Sequence, residues 1–275
     1  MQKLSRRVKK GAVGADPLPA PFSSWADRKI RFYPKNVHMI SGKPGSFKTM
    51  LALNAAVNMG LPTLGFSNDS DDLTVSGRLL GISTGQDSEK MEDWITSDPE
   101  AASAALKKFD FINWNFFATP TMDDVWLETY AFHEAEGQWP KVILIDILKN
   151  VQMDGGGDEW GVLREVMLQS LVLARETEAA VILVHHCTDG ARQTVPSRAD
   201  VLGKVSALPA VMVNVGMDDY GQMWAAGVKV RKGKSDPDAK SPFRMSVYPA
   251  CARVTDYVSQ SHAYASWNQP GEDSW

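Results

Sequence analysis

The run Val37-His-Met-Ile-Ser-Gly-Lys-Pro-Gly-Ser-Phe-Lys-Thr-Met50 constrains the fold more tightly than any other part of the chain. Val37–Ile40 reads as a buried strand. The Ala/Leu/Met-rich stretch from about Thr49 to Met59, stopped by Gly60, reads as a helix. The residues joining them, Gly42, Lys43, Pro44, Gly45, Ser46, Phe47, Lys48, Thr49 and Met50, have the form of a phosphate-binding loop. Its glycines let backbone N–H groups approach phosphate oxygens. Lys48 suits the β and γ oxygens of ATP, the Thr49 hydroxyl suits Mg²⁺, and the helix directs its positive end at the anion. One position departs from G-x-x-x-x-G-K-[ST]: Phe47 stands where a second glycine is expected, adding bulk beside the lysine. A Gly/Pro turn without a ligand is the alternative, disfavoured by the flanking strand and helix that the motif requires.

A chain of 275 residues, 44% hydrophobic and 23% charged, suits one α/β domain with short extensions. No apolar run reaches the ~18 residues of a membrane span, and no apolar stretch follows the N-terminal charges as in a signal peptide. The expectation is a protein that stays in the cytoplasm. The two cysteines, Cys187 and Cys251, have no metal-ligand spacing and suit a reducing compartment. A net charge of −4 restricts any nucleic-acid contact to local patches.

Residues 1–30 read as a flexible basic and proline-rich arm, with Lys3, Arg6, Arg7, Lys9 and Lys10 ahead of Pro17, Pro19 and Pro21. Residues 31–255 form the expected domain. Its strand candidates are Val37–Ile40, Thr63–Ser67, Phe109–Trp114, Val142–Asp146 and Val181–His185. Helix candidates lie between them at 49–59, 71–80, 87–96, 99–108, 122–136 and 158–178. This alternation predicts a mostly parallel sheet with helices on both faces. From about Ala207 the pattern becomes all-β, with Ala210–Val215, Met223–Val230, Phe243–Val247 and Ala252–Val254 expected as an antiparallel extension of that sheet. Residues 256–275, without Lys or Arg, read as an acidic tail ending at Trp275.

Polar residues stand where apolar strands end, at the edge where open α/β sheets bind ligands. Asp69 follows the second strand and is the candidate base that aligns the attacking water. Lys141-Val-Ile-Leu-Ile-Asp146 places Asp146 to reach Mg²⁺ or its water shell. Val181-Ile-Leu-Val-His-His186 ends in His185 and His186, either of which can sense a γ-phosphate or simply satisfy local backbone. In Val228-Lys-Val-Arg-Lys-Gly-Lys234, strand alternation puts Lys229 and Arg231 on one face. They can stabilise a γ-phosphate held by a neighbouring subunit, or can be charges that protect an edge strand.

The order of these features, with Phe66-Ser67-Asn68-Asp69, Arg78-Leu79-Leu80, Ile145-Asp146-Ile147-Leu148, His185-His186 and Lys229-x-Arg231-x-Gly233, resembles the RecA-like motor domain of DnaB-type replicative helicases, above all short phage versions. The likeness covers about residues 30 to 255. It implies a RecA-like P-loop NTPase fold, a homo-oligomer, hexameric in that family's manner, ATP and Mg²⁺ as cofactors, and single-stranded DNA as partner. It assigns the catalytic carboxylate to Asp69, usually Glu in the family and here one methylene shorter. It assigns the Walker B role to Asp146, the γ-phosphate sensor, commonly Gln, to His185 or His186, and the trans-acting cations to Lys229 and Arg231. The His-His pair is similar to that of RepA-type plasmid helicases. Segments 149–157 and 188–204 fall where the family's DNA-channel loops lie, making Arg192, Arg198 and Lys204 candidate DNA contacts.

Of the nine tryptophans, Trp94, Trp114 and Trp126 are expected in the core, and Trp275 in a tail that can fold on binding a partner. The implied reading is a DNA-dependent ATPase translocating on single-stranded DNA during replication, with a loader, a primase or a single-stranded-DNA-binding protein as possible partners. Alternatives are a filament-forming recombination or repair ATPase, and an ATP-switched loader or adaptor that hydrolyses little. A nuclease using Asp69, Asp71, Asp72 and Asp146 needs converging carboxylates, whereas Asp71 and Asp72 better suit a helix cap.

Overall fold

The computed structural model describes residues 16–153 and 157–257. Nine strands form one sheet in the order β3-β2-β4-β5-β1-β6-β7-β8-β9. The parallel part comprises β1 (Asn36–Gly42), β2 (Thr63–Ser67), β3 (Ile112–Asn115), β4 (Val142–Asp146), β5 (Ala180–His186) and β6 (Val211–Met217). Three antiparallel strands extend it: β7 (Met223–Val230), β8 (Phe243–Tyr248) and β9 (Arg253–Asp256). The helices are α1 (Ser23–Asp27), α2 (Lys48–Met59), α3 (Asp72–Thr84), α4 (Ser88–Ser97), α5 (Pro99–Leu106), α6 (Met122–Glu136) and α7 (Glu159–Thr177). The mixed architecture expected from the sequence is the one observed, with Phe109 in a short 3₁₀ turn ahead of β3 rather than in the strand.

Continuous apolar runs such as Val142-Ile-Leu-Ile are buried on both faces, because alternate side chains enter opposite layers. Ile40, Leu144, Ile182 and Val213 pack into one layer with Leu51 and Ala55 of α2. Met39, Ile143, Ile145 and Leu183 pack into the other with Phe132 of α6 and Met167 of α7. Side-chain caps start the helices from α3 to α7: Asp71 Oδ1 accepts from Thr74 N–H at 2.8 Å, and Thr121 and Asp124 form a reciprocal capping box on α6. Asp71 is thereby spent on α3. Among the described residues no three His, Cys, Asp or Glu side chains are grouped to hold a metal. No helix among them is long and apolar enough to cross a membrane.

The basic-arm expectation for residues 1–30 is corrected in its second half. Residues 1–15 lie outside the described residues, but from Leu18 onward the segment packs against the sheet. Trp25 is fully buried, edge-on to Phe32 at 5.8 Å and tilted on Phe22 at 5.3 Å. The first amides of α1, Ser23 and Ser24, donate to the Asp256 carboxylate at 2.7 and 3.0 Å. Asp256 therefore closes β9 and anchors α1, while residues 258–275 with Trp275 lie outside the described part. Proline and charge suggested mobility, but one aromatic triad outweighs them. Of the other tryptophans, Trp114 and Trp126 are only partly buried against the core, and Trp94 lies half-buried on α4, a helix with no buried residue. Trp25→Ala is expected to lower the unfolding free energy by about 3–5 kcal/mol, read as an earlier urea midpoint; an unchanged midpoint would mean that the segment is not part of the cooperative fold.

Candidate nucleotide site

Parallel pairing brings four strand ends to one edge: Gly42 of β1 lies beside His186 of β5, and Ser67 of β2 beside Asp146 of β4. The loop between β1 and α2 turns there. Gly42 is required by close approach, since a Cβ would stand 2.4 Å from Ser46 Oγ and 2.6 Å from the Val215 carbonyl oxygen. Phe47, the residue in the glycine position, adopts φ 57° and ψ 28° and immediately precedes α2. That left-handed conformation costs about 1–2 kcal/mol for a residue with a Cβ, and packing of its ring on the core beside α2 offsets part of it. The loop thus keeps the backbone turn that glycine would give, with an aromatic side chain. Lys43 points elsewhere, its Nζ donating to the Ala191 carbonyl at 2.5 Å. Of the loop, the backbone and the Lys48 side chain remain for phosphate.

Lys48 is 8% exposed, and among the described residues no carboxylate stands within 4.0 Å of its amine. Desolvation lowers its pKa, opposed by the charges of Asp146 and Asp69. A buried ammonium without an ion pair suits an anion the chain does not itself supply. Thr49 Oγ1 donates to Asp146 Oδ1 at 3.2 Å, so a hydroxyl and a carboxylate meet where Mg²⁺ would be held. Burial pushes the Asp146 carboxyl up to about 6, against the Thr49 hydrogen bond and the Lys48 charge. When bound, the metal supplies charge stabilisation to phosphate oxygens and holds Asp146 ionised.

Asp69 is exposed two residues beyond β2, near enough for its charge to act on Lys48, Asp146 and His186. Asn68 fixes that position: its N–H donates to the Asp146 carbonyl at 2.9 Å, its side-chain amide donates to the Ile147 carbonyl at 3.2 Å, and its own carbonyl accepts from Asn150 Nδ2 at 3.1 Å. Arg78 reaches back from α3 to Ser70 Oγ at 3.1 Å. Sequence reading quoted Asn68 and Arg78 without giving them roles, since neither sits at a strand end with a reactive group. It also missed a cleft of about 360 Å³ lined by Met50, Arg78, Pro249 and Ala252, with room for a nucleobase. Segments this distant in sequence leave no spacing to detect.

The structure separates the two histidines. His185 is fully buried and its Nε2–H donates to the Leu202 carbonyl at 3.1 Å, away from the loop. His186, half-buried, shares its field with both Lys48 and Asp69, and His185 with Lys48. Lys229 and Arg231 lie at the other end of the sheet: Arg231 bonds the Asn36 side chain at the start of β1, and Lys229 Nζ donates to the Ala207 carbonyl at 2.6 Å. The length of β1, about 20 Å at 3.3 Å per residue, separates them from their own chain's phosphate loop. Arg192 is exposed near the Lys43 contact, Arg198 is close enough to Lys229 to help lower its pKa, and Lys204 lies exposed at φ 53°.

His38 and His185 are both held at about 4 by burial, below the ordinary 6.5. Between pH 6.5 and 4 the folded chain binds fewer protons at these sites than the unfolded chain, so their stability is present above pH 6.5 and lost as pH falls. Asp146 acts oppositely, its contribution being present below the ordinary 3.8 and lost as pH rises through about 6. At about 3 kcal/mol each, two histidines outweigh one carboxylate, and the nucleotide-free protein is expected to weaken on acidification. Asp146→Asn is expected to exceed wild type by about 3 kcal/mol at pH 7 without metal, and to lose stability more steeply towards pH 4.5. Urea unfolding at the two pH values checks both signs.

No family model matches the chain. It is 26% identical over 260 residues to the Gene 65 protein of Mycobacterium phage L5, covering 90% of this chain and 96% of the relative. The Gene 65 protein of Mycobacterium phage D29 is 26% identical over 230 residues, covering 80% of this chain and 98% of that one. Among solved structures, a DnaB-like replicative helicase studied for its interactions with primase superposes with TM-score 0.76 at 15% identity over 93% of this chain. This chain spans 65% of that helicase's length. An ATPase domain solved on its own gives TM-score 0.77 at 15% identity, covering 93% of this chain and 96% of the domain. A KaiC-like protein from the archaeon Pyrococcus horikoshii gives 0.61 at 12%, covering 89% and 100%. The chain therefore has the RecA-like P-loop fold of DnaB-like replicative helicase ATPase domains.

Proposed function

We propose that the protein is a DNA-dependent ATPase that assembles head to tail into a ring, in the hexameric manner of DnaB-type helicases, and translocates on single-stranded DNA during replication. The observation that carries the reading is the division of the catalytic groups between opposite ends of β1. Lys48, Thr49, Asp146 and Asp69 gather at one end, and Lys229 and Arg231 at the other. One chain therefore holds half a site, and a neighbour presenting Lys229 and Arg231 completes it.

In this reading Lys48 and the amides of Gly45 to Thr49 bind the phosphates of ATP, while Thr49 and Asp146 hold Mg²⁺. Asp69 orients the water and His186 meets the γ-phosphate. The Leu202 bond of His185 ties the same strand to the loop carrying Arg198 and Lys204. A loader, a primase or a single-stranded-DNA-binding protein would be its partners, and the solved helicase described with primase is the precedent among similar structures.

Phe47 in a left-handed conformation and the short Asp69 side chain favour a second reading, an ATP-dependent switch or adaptor with little turnover. Steady-state ATP hydrolysis with and without single-stranded DNA decides. The first reading expects DNA-stimulated turnover that Lys48→Ala reduces by about 10³-fold or more. Tight ATP binding with no stimulated turnover would establish the switch instead.

A further inference from the structure

A half-exposed tryptophan sits beside the loop that His185 holds. Trp160, 48% exposed, lies in the first turn of α7, with Arg164 and Leu168 following on the same face at four-residue spacing. Gly203 seats the 202–207 loop against the indole: a Cβ there would stand 3.1 Å from a ring carbon, and its φ of +74° is one that side chains resist. Trp160, Arg164, Leu168, Lys204 and Leu208 line a cleft of about 530 Å³. Asp158, also on its wall, is turned to its own helix, accepting from the Gly161 N–H at 3.2 Å.

Among the described residues, neither Arg164 nor Lys204 has a carboxylate within 4.0 Å, whereas nearby Lys149 pairs with Glu159 at 3.2 Å. We propose that Trp160, with Arg164 and Lys204 beside it, forms a stacking site for a base of single-stranded DNA. The aromatic face takes the base and the two free cations take the flanking phosphates. A second copy of the chain fits less well, because it would bury two uncompensated cations with the ring. The site rests on the reading of the protein as an ATPase acting on single-stranded DNA, and it extends that reading to a residue type outside the basic loop positions. Through Leu202 and His185 the loop against the indole is joined to the strand that carries His186 to the nucleotide end. Grip on the base can therefore change with the nucleotide.

The test is fluorescence anisotropy with labelled oligothymidylate and with an abasic oligomer of equal length, using wild type, Trp160→Leu and Trp160→Phe. Leucine keeps an apolar contact for Gly203 but has no π face, and phenylalanine restores one. Trp160→Leu is expected to weaken oligothymidylate binding about ten-fold or more and abasic binding less than about two-fold, with Trp160→Phe recovering most of the loss. ATP turnover without DNA and subunit assembly should stay unchanged. Equal oligothymidylate affinity in wild type and Trp160→Leu would overturn the inference alone. So would altered assembly of Trp160→Leu without DNA, which would assign the ring to a subunit contact. Failure of wild type to bind either oligomer would overturn this inference and the proposed function together.

Discussion

The 3.2 Å contact between Thr49 and Asp146 joins the first turn of α2 to the end of β4, and the chemistry at this edge depends on it. One strand, β5, lies between β4, which ends in Asp146, and β1, which leads to Lys48. The parallel register sets their ends level, so that a buried ammonium, a hydroxyl and a carboxylate converge. Both charged groups are strained by desolvation in opposite senses, the lysine pulled down and the carboxyl pushed up. Magnesium and phosphate would relieve both at once, which couples ligand binding to stability as well as to catalysis.

The same sheet separates functions by direction. Parallel strands deliver the phosphate-binding groups to their C-terminal ends, while β7, running antiparallel to β6, returns Lys229 and Arg231 to the opposite edge. In the proposed head-to-tail assembly, a cation there would serve a neighbour's nucleotide rather than its own chain's, provided the subunits repeat by one rotation.

The sequence was most informative where one residue type has one physical use. The placement of Gly42, Lys48, Thr49 and the aspartate closing Val-Ile-Leu-Ile at or beyond strand ends could be read without coordinates, as could the parallel sheet, because its strands are apolar on both faces. The two histidines could not be separated, since strand alternation says that they face opposite ways without saying which way each faces. Residues 16–30 were misread because prolines and charges dominate a local reading, whereas Trp25 finds its partners through tertiary packing. Trp160 left no periodic signal of use, its cleft being closed by a loop some forty residues on. Asn68 was hidden for a related reason: its importance lies in bonds to the backbone of Asp146 and Ile147, which only the fold brings near.

In the proposed ring a working site takes Lys48 from one subunit and Arg231 from the next, and mixing two inactive variants tests this sharing. Lys48→Ala and Arg231→Ala, each inactive alone, would be mixed at equal concentration and allowed to exchange before DNA-stimulated ATP turnover is measured. Random assembly places an intact Lys48 opposite a neighbour's intact Arg231 at about one quarter of the sites, so recovery to about one quarter of wild-type turnover is predicted. No recovery, in mixtures shown by mass to contain both variants, would contradict a shared site.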